Sequence, residues 1–212
     1  MRQINIYDYI KLFNTDEMSE NNYMINVRGT NGSGKSSIPF SFIKSDKDTF
    51  ELIYEYEGRI RTIATVCPNE KWLFLGSYKN KCGGLDGYRT QVQIADALQL
   101  VWKLPYNIIM EGVISSTIFS TYANLFKRMN EDNSRNVIIV TLLPPLEVCL
   151  DRIQIRNGGK EIKTELVESK YNTMIKNYEK FKNEGFNCLK LDNSSIGLEE
   201  TKEWFLHEIS QV

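Results

Sequence analysis

A glycine-rich segment near the N-terminus has the residue types and the spacing that phosphate binding requires. It reads Gly29-Thr-Asn-Gly-Ser-Gly-Lys-Ser36 and fits the pattern G-x-x-x-x-G-K-[ST]. The apolar run 23–28 before it predicts a buried strand, and we expect a helix to begin near Lys35. In such a loop the backbone N–H groups face phosphates, the lysine reaches the β- and γ-phosphates, and the serine hydroxyl binds Mg²⁺. The sequence therefore predicts ATP and Mg²⁺ as cofactors, with these cofactor-binding residues: Gly29, Thr30, Asn31, Gly32, Ser33, Gly34, Lys35, Ser36 and Ser37.

A second candidate is Glu111, which follows the predicted strand 106–110. Open parallel sheets bind ligands at the carboxyl ends of their strands, so we expect Glu111 to lie near the phosphate loop. A carboxylate there can hold Mg²⁺ together with Ser36, or it can accept a proton from the attacking group. The alternative is a polar residue at a strand end that faces solvent. Gly112 favours function, because a glycine at this point indicates close backbone approach.

Two arginines, Arg152 and Arg156, stand four residues apart and share one face of a predicted helix. The pair Gly158-Gly159 follows and predicts a hinge. A lid over about 152–164 that closes on ATP and neutralises charge on the transferred phosphoryl group fits this pattern. The alternative is a solvated helix face with ion pairs to Glu147 and Asp151.

The loop 76–91 is the candidate acceptor site, because it also follows a predicted strand and so lies at the ligand edge. Asp86 is placed to act as a base or to orient an acceptor hydroxyl, and Tyr78 to stack on a base. As scaffold only, Asp86 is a helix cap and Tyr78 is packing. The predicted substrate-binding residues are Tyr78, Lys79, Asp86, Arg89, Thr90 and Gln91, and the predicted catalytic residues are Lys35, Asp86, Glu111, Arg152 and Arg156.

These residues need a scaffold of strands alternating with helices, which is typical of a parallel sheet covered on both faces. The fold class predicted is α/β, a P-loop NTPase of nucleotide-kinase type with a five-stranded parallel sheet flanked by helices, in one domain over 1–212. Alternation around Gly58 predicts an inserted antiparallel hairpin at about 50–66. The predicted strands are 23–28, 71–75, 106–110, 136–142 and 187–191, and the predicted helices are 3–13, one from Lys35, 89–103, 115–130, 145–156, 164–184 and 198–209.

Composition excludes several classes of protein. The 212 residues carry a net charge of -1, and the pI of about 6.0 gives no sign of a strongly basic nucleic-acid binder. No stretch approaches the ~20 apolar residues of a membrane span, and the four scattered cysteines lack the spacing of a zinc site. The sequence therefore predicts a cytoplasmic protein without a membrane partner. It does not indicate an oligomeric state.

At these residues the chain resembles the bacteriophage P-loop nucleotide kinases, the group that includes the 5-hydroxymethyluracil-DNA kinases of thymidine hypermodification. The resemblance covers residues 23 to about 175, and the matching segments are Val27–Ser37, Gly76–Tyr78, Cys82–Asp86, Met110–Gly112, the run 146–150 into Arg152 and Arg156, and Glu168–Lys170. It implies ATP-dependent phosphorylation of the 5-hydroxymethyl group of a pyrimidine in DNA, with DNA containing 5-hydroxymethyluracil as partner. It further implies that Asp86 or Glu111 accepts the hydroxymethyl proton, while Lys35, Mg²⁺ and the arginines bind the phosphates.

Two other functions stay open. A kinase of free deoxynucleosides or deoxynucleoside monophosphates would use the same fold with a smaller acceptor pocket, and the acidic pI fits DNA binding poorly. The segment from Arg156 to Lys190 has eight Lys/Arg against five Glu, which is a modest basic footprint or a solvated helix surface. A P-loop ATPase or switch with a protein partner is the second alternative.

Overall fold

A computed structural model of the chain describes residues 1–13, 22–56, 58–80, 83–131 and 135–212. Within these ranges the chain forms one eight-stranded mixed sheet with helices on its faces. The strands are β1 Arg2–Asn5, β2 Tyr23–Arg28, β3 Phe50–Tyr56, β4 Arg59–Cys67, β5 Trp72–Leu75, β6 Asn107–Glu111, β7 Asn136–Leu142 and β8 Asn187–Leu191. The helices are α1 Ile6–Ile10, α2 Ser37–Ser45, α3 Gln91–Val101, α4 Val113–Thr117, α5 Ser120–Glu131, α6 Leu146–Arg156, α7 Thr164–Asn183 and α8 Leu198–Ser210, with a 3-10 turn at Gly84–Gly87.

The five predicted parallel strands are present and adjacent, in the order β5-β6-β2-β7-β8. The central strand β2 is flanked on both sides by parallel partners, and its apolar residues from Met24 to Val27 are fully buried. Runs of this kind pack helices on both faces, as parallel sheets require. Two hydrophobic clusters result, one on each face of the sheet. The carboxyl ends of the five strands share one edge, which positions the loops that follow them.

The predicted hairpin forms from β3 and β4, and it extends the same sheet instead of standing apart from it, because β4 pairs antiparallel with β5. The prediction of a leading helix at 3–13 is wrong in its first part. Residues Arg2–Asn5 form β1, parallel to β3, where Gln3 Nε2 donates to the buried Glu51 carboxylate at 2.9 Å. The Asn5 side chain then caps the short helix α1. The polar run 14–22, which the sequence predicts to be a loop, lies almost wholly outside the described residues.

The predicted helix 115–130 is two helices, α4 and α5, separated at Ile118, whose backbone is extended. The break has a physical cause in Arg28, which is 1% exposed. Its Nη2 donates to the carbonyls of Ser116 at 2.6 Å and Ile118 at 2.8 Å. These carbonyls are thereby satisfied outside a helix, as buried backbone groups must be. Among the described residues, no helix combines the length and the apolar character of a membrane span.

Candidate active site

The glycine-rich loop lies between β2 and α2, as predicted, at the carboxyl edge of the sheet. Its glycines adopt left-handed backbone conformations, with φ of 154° at Gly29, 79° at Gly32 and 92° at Gly34. A Cβ at Gly29 would lie 2.4 Å from Ser33 Oγ, so the turn closes too tightly for any larger residue. Helix α2 begins at Ser37, two residues later than expected, because the loop is still turning at Gly34. The N–H groups at its start form the kind of end that binds anions.

Lys35 lies within this loop and is 7% exposed. Its Nζ donates to the carbonyl of Thr30 at 2.9 Å, which holds the ammonium group against the loop backbone. Burial lowers the pKa of Lys35, and the nearby carboxylates of Glu111 and Asp86 oppose this change. The lysine is thus a desolvated cation beside two acidic groups.

Glu111 ends β6 and is 1% exposed. Burial raises the pKa of Glu111 to about 7, and Asp86 adds to the rise, while Lys35, the Ser36 hydroxyl and Tyr78 counteract it. The Tyr78 hydroxyl donates to Glu111 Oε1 at 3.4 Å. A strand-end carboxylate in this setting is the group that a cation or a proton would neutralise.

Asp86 is carried by the 3-10 turn Gly84–Gly87 and is exposed. Gly84 presses this turn onto the strand end: its φ is 67°, and a Cβ there would lie 2.5 Å from Glu111 Oε1. Two residues of the predicted acceptor loop, Lys81 and Cys82, lie outside the described residues. The described part of the loop nevertheless sets Asp86 beside the phosphate loop.

One cavity of about 260 Å³ brings the predicted catalytic residues together. Its lining includes Lys35 and Ser36 of the phosphate loop. Three other segments of the chain contribute Asp86, Glu111, and Arg152 with Arg156. Three cations, Lys35, Arg152 and Arg156, and two carboxylates thus lie around the N-terminus of α2. This arrangement can bind a phosphate chain and place an acceptor hydroxyl beside a base.

Arg152 also holds the cavity wall. Its Nη2 donates to the carbonyl of Asn193 at 2.9 Å, and its Nη1 lies 3.5 Å from the carbonyl of Gly32. Asn193 in turn donates through Nδ2 to the carbonyl of Ser33 at 3.1 Å. The sequence interpretation gave Asn193 no role, although it follows β8 at the ligand edge. This position after a strand at the ligand edge was the sequence signal that could have identified Asn193 as a site residue.

A second cavity of about 230 Å³ shares Gly34, Ser37 and Arg152 with the first. Its other wall comes from Asn193 and the turn at Gly197 that begins α8. Acidic side chains are absent from its lining. The two cavities therefore lie next to each other on either side of Gly34, Ser37 and Arg152.

Several predicted substrate residues lie away from the main cavity. Tyr78 is 5% exposed, with Phe40 and Phe74 in edge contact with its ring, so little of the ring is accessible for the predicted stacking on a base. Lys79 forms an ion pair with Glu51 at 2.6 Å.

Three more predicted substrate residues belong to the start of α3. Thr90 caps this helix by accepting from Gln93 N, Gln91 accepts from Thr121 Oγ1, and the Arg89 backbone N–H donates to Gln93 Oε1. Thr90 thus has the capping role that was the structural alternative to a substrate contact, and Gln91 has an intramolecular partner.

A glycine loop between strand and helix, at the carboxyl edge of a five-stranded parallel sheet and opposite a strand-end carboxylate, defines the P-loop kinase class of folds. Solved structures agree. The YorR protein from Bacillus subtilis, solved with phosphorylated GDP, is 17% identical with a TM-score of 0.52, covering 89% of this chain and 97% of that chain. A gluconokinase from Sinorhizobium meliloti 1021 is 14% identical with a TM-score of 0.51, covering 92% and 94%. At these identities the likeness shows the fold alone.

The chain belongs to the family described as 5-hmdU DNA kinase, whose family model matches residues 13–191. A 5-hmdU DNA kinase of Bacillus phage SP10 is 42% identical over 190 residues, which are 88% of this chain and 29% of that relative. The 5-hmdU DNA kinase 1 of Salmonella phage ViI is 32% identical over 149 residues, 68% of this chain and 64% of that relative. The 5-hmdU DNA kinase of Pseudomonas phage M6 is 32% identical over 165 residues, 72% and 81%. The chain thus spans under a third of the SP10 relative and under two thirds of the ViI relative.

Proposed function

We propose that this chain transfers the γ-phosphoryl group of ATP to the 5-hydroxymethyl group of 5-hydroxymethyluracil in phage DNA, in the cytoplasm of the host cell. The observation that carries the proposal is the single cavity in which the phosphate loop, two carboxylates and two arginines meet. The names of the phage relatives supply the acceptor.

The donor nucleotide would occupy the two cavities that share Gly34, Ser37 and Arg152. Its phosphates would bind the backbone N–H groups of residues 29–37 and the Lys35 ammonium group, with Arg152 and Arg156 on the opposite wall. Its base would occupy the second cavity, between Gly34 and Asn193. The proposed lid is the segment of about 152–164, in which residues 157–161 are exposed and Gly158 and Gly159 have positive φ.

Ser36 and Glu111 are suited to hold Mg²⁺, since they place a hydroxyl and a carboxylate on one cavity wall. Among the described residues, no group of three acidic, histidine or cysteine side chains could hold a metal by itself. Phosphate oxygens and water would therefore complete the coordination, as is usual for this ion. When bound, the ion supplies positive charge beside the transferred phosphoryl group.

The two carboxylates divide into two roles by their burial. Glu111 is enclosed by Lys35, Ser36 and Tyr78 and suits the metal, whereas Asp86 is exposed at the cavity mouth and suits the acceptor. The hydroxymethyl oxygen attacks the γ-phosphorus, the bond from that phosphorus to the β–γ bridging oxygen breaks, and the hydroxyl proton passes to Asp86. ADP leaves, and the base carries a phosphate monoester on its hydroxymethyl oxygen.

The test uses ATP labelled in the γ-phosphate with three oligonucleotides that contain 5-hydroxymethyluracil, thymine or 5-hydroxymethylcytosine, alongside free 5-hydroxymethyl-2′-deoxyuridine and its monophosphate. We expect label only in the first oligonucleotide, and none with the variant Lys35→Ala, whose fold is checked by circular dichroism. Label in the free nucleoside or the mononucleotide alone would instead identify a kinase of free nucleosides or nucleoside monophosphates. Release of free phosphate without any labelled acceptor would identify an ATPase.

A further inference from the structure

A cleft outside the phosphate site has the chemistry of a platform for unpaired nucleobases. Its volume is about 500 Å³, and three tyrosines line it, Tyr7 from α1 and Tyr54 and Tyr56 from β3. The rings of Tyr54 and Tyr56 are 6.1 Å apart, and Tyr7 is 52% exposed. Tyr7 and Tyr56 lie outside both hydrophobic clusters, so they do not serve the core.

Arg61 contacts a tyrosine of the cleft and also lines a cavity beside the turn that carries Asp86. A smaller cavity of about 190 Å³ is bordered by Gly84 and Gly87, the two ends of that turn, and by Arg61 of β4. Arg61 is the cross-strand neighbour of Tyr54, and its guanidinium lies 5.5 Å from the centre of the Tyr56 ring. Arg61 therefore lies between the turn of the acceptor side and the tyrosines of the cleft.

The charges along this surface distinguish where phosphates and bases would lie. Arg61 Nε is buried without a hydrogen-bond partner among the described residues. The salt bridges that the described residues form do not include Arg61. The cleft itself contains Asp96 and Glu55 with the amide side chains of Gln93 and Gln99. Carboxylates repel a phosphate but accept hydrogen bonds from base amino groups, as amides also do. The cleft thus suits bases, and Arg61 suits the backbone.

We propose that this cleft binds the unpaired nucleotides next to the acceptor base in a DNA strand, by stacking them on Tyr7, Tyr54 and Tyr56 with a phosphate on Arg61. The inference rests on the proposed function, because it needs DNA as the acceptor. It also explains how a chain with a net charge of -1 binds a polyanion: stacking on aromatic rings replaces part of the usual phosphate neutralisation. Stacking is tolerant of sequence, so modified bases in any context would be accepted.

The first experiment measures KM for a single-stranded 12-mer with one central 5-hydroxymethyluracil. The double variant Tyr7→Leu/Tyr56→Leu removes two rings and keeps apolar volume. We expect its KM for the 12-mer to rise about tenfold or more, with kcat and the KM for ATP unchanged, because each stacked base contributes on the order of 1–3 kcal/mol, or about 5- to 150-fold. The matched control Tyr7→Phe/Tyr56→Phe keeps both rings and should behave as wild type. Equal KM values for the Leu and Phe pairs overturn the proposal.

A second experiment separates this proposal from the proposed function. Fluorescence anisotropy with a labelled 12-mer of thymidine needs no phosphoryl transfer, and the Leu pair should weaken its binding about tenfold relative to the Phe pair. The variant Arg61→Gln should lower the slope of log Kd against log salt by about one, while Arg61→Lys keeps it. If the wild type binds the oligonucleotide but transfers no phosphate, the proposed acceptor is refuted and nucleotide binding by the cleft is retained. If the Leu pair transfers phosphate and binds the oligonucleotide as the wild type does, nucleotide binding by the cleft is refuted. A protein partner would then be the remaining candidate for that surface.

Discussion

A single methyl group at Gly84 tests the placement of Asp86 against Glu111. In Gly84→Ala the added Cβ would lie 2.5 Å from Glu111 Oε1, whereas contacts become ordinary at 3.4 Å. The turn and the strand end must therefore separate by the difference between 3.4 and 2.5 Å, about 0.9 Å. A misplacement of ~1 Å at a reacting group costs on the order of 100-fold in rate. We expect kcat to fall by about that factor.

The same turn provides a matched control. Gly87→Ala adds the same methyl group three residues later, where no atom lies within 4 Å and φ is not positive. We expect this variant to keep wild-type kcat. Alanine at φ 67° also costs ~1–2 kcal/mol of stability, so both variants are assayed well below their melting temperatures. The assay is steady-state transfer of labelled phosphate to the 5-hydroxymethyluracil oligonucleotide. Equal kcat for the two variants would refute the idea that the turn positions Asp86.

Three further predictions concern catalysis and stability. Asp86→Asn should lower kcat by about 10²–10⁴ while ATP affinity, measured by calorimetry, changes little, because a general base is removed and no phosphate contact is lost; an unchanged kcat would make Asp86 a scaffold residue. Arg135→Leu should lower the free energy of unfolding in urea by about 3 kcal/mol without altering the KM for ATP. The reason is that Arg135 donates to four carbonyls at the amino edge of the sheet, which would lose their partner: those of Trp102, Leu104, Tyr106 and Tyr23. An unchanged free energy of unfolding would contradict this. Burial acts to raise the pKa of Glu51, but its partners, Lys79 first, lower the pKa overall, so Glu51 stabilises the fold above the unfolded pKa of about 4.3 and this contribution is lost as pH falls below that value. In Glu51→Gln the free energy of unfolding in urea should therefore depend less steeply on pH between about pH 5 and 3. An unchanged dependence would rule out this linkage.

Local sequence pattern was enough to predict the five parallel strands, because four of them are short apolar runs that the structure buries, whereas β8 is only partly buried. The strands 136–142 and 187–191 have the predicted bounds. The glycine loop was equally predictable, since its backbone conformation depends on its own glycines. The five predicted catalytic residues all line one cavity. Their individual roles stay predictions.

What the sequence could not predict depends on contacts between distant residues. Strand β1 forms because Gln3 meets Glu51, 48 residues away, and the break after α4 forms because Arg28 binds carbonyls about 90 residues away. Tyr78 looked available for stacking because a glycine-rich loop is usually exposed. Gly83 lets the Tyr78 ring fold inward, since a Cβ there would lie 2.3 Å from the ring.

The most direct test of the proposed activity is the position of the transferred phosphate. After reaction with ATP, DNA containing 5-hydroxymethyluracil is digested to nucleosides without phosphatase and examined by mass spectrometry and phosphorus NMR. We predict a phosphate monoester on the 5-hydroxymethyl oxygen of the deoxyuridine, and none in thymine DNA or with Lys35→Ala. Phosphate found on a 5′-terminal hydroxyl, or only as free phosphate, would contradict the account.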